Sequence, residues 1–540
     1  MIRPLMRRAK RALHSLGRRP RRTGSRRPVA DELKALLDQR LFDDAIAYAE
    51  KALAEHNSDR DLLRLIRTTA SKTGTLTLHL EALTAERAIR DTPALAKQQA
   101  RINGRMLETS ATWRPLVGGA AEPLKPHSSE QVLHLLKAAA PDRQSGYTMR
   151  SKYTVDAQRA AGLEPIAMTA LGFPRSIGIT DMPATEEVGG VRRIRLDPGP
   201  DYDLDKPYDE YLQDYVNAAA PFVRELAPAV LHAHSGHRGY DTVLVALALG
   251  RHFGLPVMYE VRGFFESLWT SDVEWSDKSE TYRRRLETEN RCMADADAVV
   301  TLSESMRAEI VSRGIPASKV HVVPNGVDVA TFQPSKRRTD LVERYGLADR
   351  FVFGYVSNLD HYREGQELLI DAAVSLRRRG IDATAMIVGD GSRREVLERH
   401  ADELDAGDAV VFTGRVPHDE VLDYYALLDV FVVPRINERA ARLVTPLKPL
   451  EAMAAGIPVV TSDLEALREL TGAGERGRQF ATGDSEALAV VLADLQGDLA
   501  ARSAMADRAR AWVAAERQWS TNGRRYAEIY AALLEADEPW

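Results

Sequence analysis

Two hydrophobic periodicities divide this chain. Between residues 29 and 127, apolar positions recur at the three- and four-residue spacing of a helix face. In ELKALLDQRLFDDAIAYAEKALAEH the stripe is Leu36, Leu37, Leu41, Ala45, Ile46, Ala49 and Leu53. From residue 129 short β-branched or leucine-rich runs alternate with amphipathic stretches. QVLHLLKAA, EPIAMTAL, AVLHAHS, LPVMYEV, DAVVTLS and KVHVVPN read as strands, with helices at 242–253 and 280–296. After PNGVDVATFQP the alternation restarts. RFVFGYVSN, ATAMIVGDG, AVVFTGRV, VFVVPR and IPVVTSD are strands, separated by helices at 366–378, 392–404, 418–428 and 446–455. Residues 485–534 are nearly all helical.

Strand–helix alternation predicts βαβ units and a parallel sheet. The expected fold is therefore α/β: two doubly wound Rossmann-like domains facing a cleft, preceded by an extra helical region. The expected boundaries are a basic, disordered tail at 1–28, a helical region at 29–127, a first α/β domain at 128–330 and a second at 331–515, with a hinge near 328–336. A last helix, 516–540, is expected to pack back on the first α/β domain. The helical region is tetratricopeptide-like, since small residues in its stripe let paired helices approach closely, and LHLEALTAERAIR offers a second pair. It is either a plain cap or a protein-binding module. Open α/β sheets bind ligands beyond the carboxyl ends of their strands, so two facing sheets share one cleft suited to joining two substrates.

Charge changes the picture only at the start. The net charge is -5, so the whole molecule is no polycation and no nucleic-acid partner is expected. Residues 1–27 nevertheless carry arginines and a lysine with no acid. They read as a solvated tail or as a peripheral membrane contact, where each basic residue is worth about 1 kcal/mol on anionic lipid. No apolar run reaches the roughly 18–20 residues of a membrane span, and no secretory signal is evident. The expected location is cytoplasmic, with possible peripheral attachment at the inner face of the membrane. The single cysteine, Cys292, reads as a small buried hydrophobe.

TPLKPLEAMAAGIPVVTS, residues 445–462, carries the clearest chemistry. A helix opening at Thr445 or Pro446 would aim free N–H groups at an anion. Lys448 in its first turn reaches a phosphate, and Glu451 on the same face accepts hydrogen bonds from ribose hydroxyls. HAHSGHRG holds His232, His234 and His237, with no carboxylate or cysteine following at ligand spacing, so no metal is expected. His234 is expected to face the cleft and His232 the other side. DYDLDKPYDEY fails as a calcium loop, because Lys206 and Leu212 occupy the glycine and bidentate-glutamate places.

EAMAAGIPVV closely resembles the nucleotide-binding segment of glycosyltransferase family 4, retaining enzymes of the GT-B fold. The resemblance spans residues 129–540 and includes SGYTMRS, LHAHS, MYEVRGFFE, VVPNGVD, IVGDGS and FTGRV in that order. YEVRG and TPLKPLEAM are most similar to the branch acting on bacterial surface polysaccharides. The resemblance implies a nucleoside diphosphate sugar as donor, a UDP-sugar favoured, no separate cofactor, and a saccharide or lipid-linked acceptor. It places Glu451 on the ribose and the main chain of Arg415 and Val416 on the base, while the glycines in the run Gly389, Asp390 and Gly391 allow either close approach of the donor or a structural turn. Gly146 would cover the diphosphate, with Pro446, Leu447 and Lys448 beside it. His234 would lie at the reacting sugar. Tyr147, Glu260, Arg262 and Glu266 are expected on the acceptor side, and Arg150, opening a helix, either binds an anionic acceptor or caps the helix start.

Two places depart from the family. Leu443 stands where a second glutamate is usual. In SNLDHYREG, Asn358 and Glu364 stand where an arginine and a lysine usually neutralise the diphosphate. Lys448, Arg435 and Arg442 are then the expected phosphate cations, with Arg363 displaced by one position, and His234, Lys448 and Arg435 the expected catalytic set. A nucleotide-sugar epimerase or phosphorylase of the same fold, and a catalytically degenerate adaptor using the helical region, are the competing readings.

Overall fold

The computed structural model describes residues 27–417 and 420–536. Most of the basic tail read from the sequence, up to residue 26, lies outside them. The described chain forms two compact units, dividing between Asn103 and Gly104. No described helix is long and apolar enough to cross a membrane.

The first unit is helical: α1 (Arg27–Asp38), α2 (Phe42–Glu55), α3 (Arg60–Thr73), α4 (Leu76–Ile89) and the start of α5 (Pro93–Glu108). Its core joins Leu33, Leu37, Ala45, Ala49, Ala52, Leu62 and Ile66. Asp59 caps α3 by accepting from the N–H groups of Asp61 and Leu62, and Gly74 ends that helix in the left-handed conformation. The stripe read from the sequence breaks at Arg40, which has φ +58, so Leu41 falls between helices and is 43% exposed. The helices stop at Glu108, short of the expected 127. Pro115, Gly118, Gly119, Pro123 and Pro126 cannot sustain a helix, and 109–130 runs without regular structure. It is pinned within the second unit, where Glu122 and Leu124 donate backbone bonds to His252 and Phe253.

The second unit contains both expected sheets. The first has strand order β3-β4-β2-β1-β5-β6-β7-β8: β1 (Gln131–Leu136), β2 (Glu164–Thr169), β3 (Thr185–Val188), β4 (Val191–Arg195), β5 (Val230–His234), β6 (Val257–Glu260), β7 (Ala298–Thr301) and β8 (Val320–Val322). Its pairs are parallel except β3–β4, a hairpin absent from the sequence reading. The crossover helices are α6 (Gly146–Ala160), α7 (Tyr208–Leu226), α8 (Asp241–Phe253), α9 (Glu280–Asp295) and α10 (Glu304–Ser312).

The second sheet is parallel throughout, in the order β11-β10-β9-β12-β13-β14: β9 (Phe351–Val356), β10 (Ala383–Val388), β11 (Val410–Gly414), β12 (Val430–Val433), β13 (Val459–Ser462) and β14 (Arg478–Phe480). Its helices are α11 (Glu367–Arg378), α12 (Arg394–Glu403), α13 (Val421–Tyr425), α14 (Arg439–Leu443), α15 (Lys448–Ala454), α16 (Glu465–Thr471), α17 (Ser485–Gly497) and α18 (Leu499–Glu516).

The last helix, α19 (Trp519–Ala536), returns to the first sheet. Tyr526, Ile529 and Tyr530 share a core with Val132, Val230, Met258 and Val300. Gly523 permits this contact, since a Cβ there would collide with the Ala157 carbonyl oxygen of α6.

Candidate active site

β1 and β5 gather three histidines beside Glu260 at the end of β6. His134, His232 and His234 are all fully buried. The rings of His232 and His234 stack with centroids 4.0 Å apart. This corrects the expectation that they face opposite ways: strand side chains alternate, so residues two apart share a face. It also corrects the expectation that His234 opens onto the cleft.

Hydrogen bonds fix the protons of this cluster. Arg262 can only donate, and its Nη2 lies 2.6 Å from His234 Nδ1. His234 Nε2 therefore carries the proton and donates to His134 Nδ1 at 2.8 Å. His134 Nε2 donates to Gln158 Oε1 at 2.8 Å, and Gln158 donates to the Tyr530 hydroxyl at 2.9 Å. Tyr530 completes the run on His232 Nδ1 at 2.7 Å, which leaves the proton on His232 Nε2, a nitrogen 3.3 Å from Glu260 Oε2. Burial and mutual repulsion hold His134 and His234 well below the usual histidine range. One ring nitrogen from each histidine lies within 4.8 Å of the other two, close enough to share a metal, but in this arrangement the Nδ1 lone pairs accept hydrogen bonds.

Glu260 anchors the same network. Its Oε1 accepts from Arg150 at 2.9 Å and Arg262 at 2.7 Å, and its Oε2 from Tyr526 at 2.5 Å. Burial would raise its pKa, yet the two guanidiniums outweigh it and hold the carboxyl well below its usual range. Arg150 lies inside α6 rather than at its start, and spends its other donors on Asn325 and the Val323 carbonyl. Glu266 is buried against Arg313 at 2.7 Å. These expected acceptor contacts are thus internally paired. Arg262 Nη1 also donates to Ser151 Oγ at 2.6 Å.

The residues nearer the mouth are Gly146, Tyr147 and Lys137. Ser145 caps α6 in a capping box with Thr148, and a Cβ on Gly146 would meet nothing. The Tyr147 ring carries the Lys137 ammonium 4.4 Å from its centroid. Lys137, at the end of β1, escaped the sequence reading, and burial pushes its pKa down to about 8.

On the second domain, α15 starts at Lys448, two or three residues later than expected, with Pro449 in its first turn. Lys448 Nζ lies 3.1 Å from Glu451 Oε2, which also accepts from the Tyr425 hydroxyl at 2.8 Å. Glu451 is 7% exposed. Across from it, α6 brings Tyr153, unpredicted from sequence, whose pKa is pushed up to about 12 by burial and by the Glu451 charge.

The expected phosphate cations are differently disposed. Arg435 is gripped by Glu364 at 3.0 and 3.1 Å and donates its remaining nitrogen to the Val444 carbonyl at 2.9 Å, so it is not a free cation here. Arg442 is half exposed and pairs with Glu465 at 2.6 Å. Leu443 belongs to the first domain's hydrophobic core, and its carbonyl accepts from Ser303 Oγ at 3.0 Å. An apolar plug between the domains thus replaces the usual carboxylate.

Gly389 has φ +139, and a Cβ there would strike the Ser357 carbonyl oxygen. Gly391 is hemmed in by Leu359 and Asp360. Both glycines therefore serve the packing of the loops after β9 and β10. Asp390 receives the Gly391 N–H. Arg415 is exposed and Val416 half-buried just beyond β11.

Residues 145–326 match the model of the glycosyl transferase 4-like domain, and residues 350–498 that of glycosyl transferases group 1. The GDP-mannose-dependent alpha-(1-6)-phosphatidylinositol monomannoside mannosyltransferase of Mycolicibacterium smegmatis is 36% identical over 245 residues, 45% of this chain and 64% of that protein. Its counterpart in Mycobacterium tuberculosis H37Rv is 33% identical over 236 residues, 43% of this chain and 61% of that one. The chain therefore spans less than two thirds of the length of these relatives. Among solved structures, sucrose-phosphate synthase from Thermosynechococcus elongatus superposes with a TM-score of 0.61 at 23% identity, covering 75% of this chain and all of that one. Anabaena HepE in complex with UDP and glucose gives 0.56 at 18% identity, over 74% and 99%. These likenesses share the two-domain GT-B fold.

Proposed function

The chain belongs to the group 1, family-4-like glycosyltransferases, and on that premise we propose that it moves a sugar from a nucleoside diphosphate sugar to an acceptor hydroxyl with retention of configuration. The observation that carries this reading is the Lys448–Glu451 pair at the start of α15, beside Tyr425 and opposite Tyr153. A ribose would replace the ammonium on Glu451 with its hydroxyls. Lys448, released, would swing to the diphosphate and offset the charge that develops as the glycosidic bond breaks. Closure of the two domains would exclude water, which otherwise hydrolyses the donor. The leaving phosphate would take the acceptor proton.

A UDP-sugar is the proposed donor and GDP-mannose its competitor, since the mycobacterial relatives are named as GDP-mannose-dependent. No metal or further cofactor is proposed. The proposed acceptor is a saccharide or a lipid-linked sugar of a surface polysaccharide or glycoconjugate, reached at the inner face of the membrane through the basic residues 1–27. Residues 29–127 are proposed to hold a protein partner. A catalytically silent adaptor is the second reading, favoured by the neutralised Arg435.

A thermal-shift panel of UDP, GDP, ADP and TDP identifies the base. Incubation of the matching nucleotide sugars with and without acceptor then tests transfer. Epimerised donor as the sole product overturns the transferase reading, and nucleotide binding without any turnover supports the adaptor.

A further inference from the structure

A second cavity, of about 190 Å³, opens where the two chain crossings between the α/β domains run together. Val327 donates to the Arg517 carbonyl at 2.8 Å there, so the crossing after β8 and the one before α19 lie side by side. The walls come from both domains: Ser303 and Asn325 from the first, Thr445 and Glu469 from the second, with Arg517 and Arg525 from the returning segment.

The arginines are the unusual feature. The buried arginines described above are matched by carboxylates, as Arg150 and Arg262 are by Glu260. Arg517 donates only to the Glu516 carbonyl, at 3.3 Å, and lies 4.5 Å from the Trp512 ring. Arg525 donates to Asn522 Oδ1 at 3.1 Å. Among the described residues neither forms an ion pair. Burial lowers the pKa of Arg517, and the Arg525 charge lowers it further, so the two guanidiniums repel each other across the cavity. The Glu469 charge offsets part of this repulsion without forming an ion pair with either arginine, since its oxygens accept from the N–H groups of Glu304 and Ser305 at 3.0 and 2.7 Å, at the start of α10. Glu304 is 68% exposed in its side chain and turns toward Arg307. A third donor faces the same space: Thr445 is 6% exposed, and its hydroxyl has no hydrogen-bond partner among the described residues.

We propose that this cavity binds a phosphoryl group, as free phosphate or as a phosphate monoester, between Arg517, Arg525 and the Thr445 hydroxyl. Two guanidiniums and an unpartnered hydroxyl line one space, and a guanidinium grips phosphate oxygens through two parallel N–H donors. Water takes about 30 Å³ per molecule, so the cavity has room for several waters or for one such anion. None of the three side chains belongs to the Lys448–Glu451 pair, although Thr445 and Leu450 of the same segment line the cavity, so the two sites are neighbours. Because its walls come from both domains, an anion there favours their contact. By reciprocity it shifts donor affinity by the factor by which donor shifts its own.

The test uses the full chain with UDP and GDP both saturating, so that phosphate cannot report on the donor site. Titration calorimetry with inorganic phosphate and with glucose 6-phosphate separates the two sources, and sulfate checks for a nonspecific anion effect. The expected result is binding with a dissociation constant on the order of 1 mM or tighter, weakened at least tenfold by Arg525→Gln and by Arg517→Gln. The neighbouring exposed Arg524→Gln should leave it unchanged. Should Arg517→Gln fail to fold, Arg525→Lys, which keeps the charge and loses the fork, should give an intermediate loss. No binding by the wild type, sulfate binding as tight as phosphate, or equal binding by the Arg525 variants overturns the proposal. Nucleotide binding is read separately, so failure here leaves the donor reading standing.

Discussion

Glu364 holds Arg435 through both carboxylate oxygens, at 3.0 and 3.1 Å. Burial works against the Glu364 charge, yet Arg435 outweighs it and keeps the carboxyl below its usual range. Tyr355 adds a third bond to Glu364, at 2.5 Å. The cation just beyond β12 is thus matched by its own buried counter-charge. Removing one partner of a buried pair strands the other, which costs about 3–5 kcal/mol. Glu364→Gln should therefore lower the unfolding free energy by roughly that amount in urea denaturation. It should also tighten nucleoside diphosphate binding in calorimetry, because a freed Arg435 can turn to phosphate. Destabilisation with unchanged affinity would mean that Arg435 is purely structural.

The Lys448–Glu451 contact leads to a second expectation. If Glu451 receives ribose hydroxyls, Glu451→Ala removes hydrogen bonds to a charged acceptor, each worth about 1.5–3 kcal/mol. Nucleotide affinity should drop by about 10- to 100-fold. The wild type should discriminate against a 2′-deoxynucleotide, and the variant should not. Lys448→Ala should lower kcat more than affinity, since the ammonium meets most charge as the diphosphate leaves. A variant at Glu451 that still discriminates against the deoxynucleotide would remove the ribose role.

The alternation of strands and helices was legible because each buried parallel strand is an apolar run bounded by turn residues, as in AVLHAHS and IPVVTSD. The β3–β4 hairpin was not, since TEEV and VRRIR carry charges on an edge and lack that contrast. Glu451 and Lys448 were legible because three residues along a helix keep one face. Side-chain partners at long separation were not: His134 meets His234 from 100 residues away, and Tyr526 meets Glu260 from 266. Period-two alternation should have put His232 and His234 on one face from the sequence alone. Leu443 gave no sign that it fills the first domain's core, because an apolar residue in a helix does not name its partner.

Docking of α19 depends on Gly523. The backbones of α19 and α6 meet there, and an added Cβ would collide with the Ala157 carbonyl. Gly523→Ala should push α19 outward and strain the bonds of Tyr526 and Tyr530 to Glu260, His232 and Gln158. The expected loss is about 1–3 kcal/mol, as for other overpacked contacts. Hydrogen exchange should quicken in α19 and in β5 together. Faster exchange confined to α19 would show that the histidine cluster stands without it.

The pH dependence of stability follows from two opposed sets of buried groups. Burial holds His134, His232 and His234 below the ordinary histidine value near 6.5. Below pH 6.5 the unfolded chain takes up protons that the folded cluster refuses, so each histidine removes about 1.4 kcal/mol per pH unit as pH falls. His237 pulls the same way. Glu108 and Glu289 are raised by burial, to about 7 and about 8. They keep protons in the folded state that the unfolded chain loses above about 4.5, so each removes a similar amount per unit as pH rises toward those values. Between about pH 5 and 6 the four histidines outweigh the two glutamates, and stability should rise with pH. Above about pH 6.5 the histidine contribution fades and the glutamates prevail, so stability should fall until about pH 8. Urea denaturation across this range should therefore peak near pH 6.5. Tyr530→Phe removes the hydroxyl that donates to His232 Nδ1 and favours its neutral ring, and should flatten the rise on its acid side. A wild-type profile already flat between pH 5 and 6.5 would mean that the folded histidines take up protons as readily as the unfolded ones.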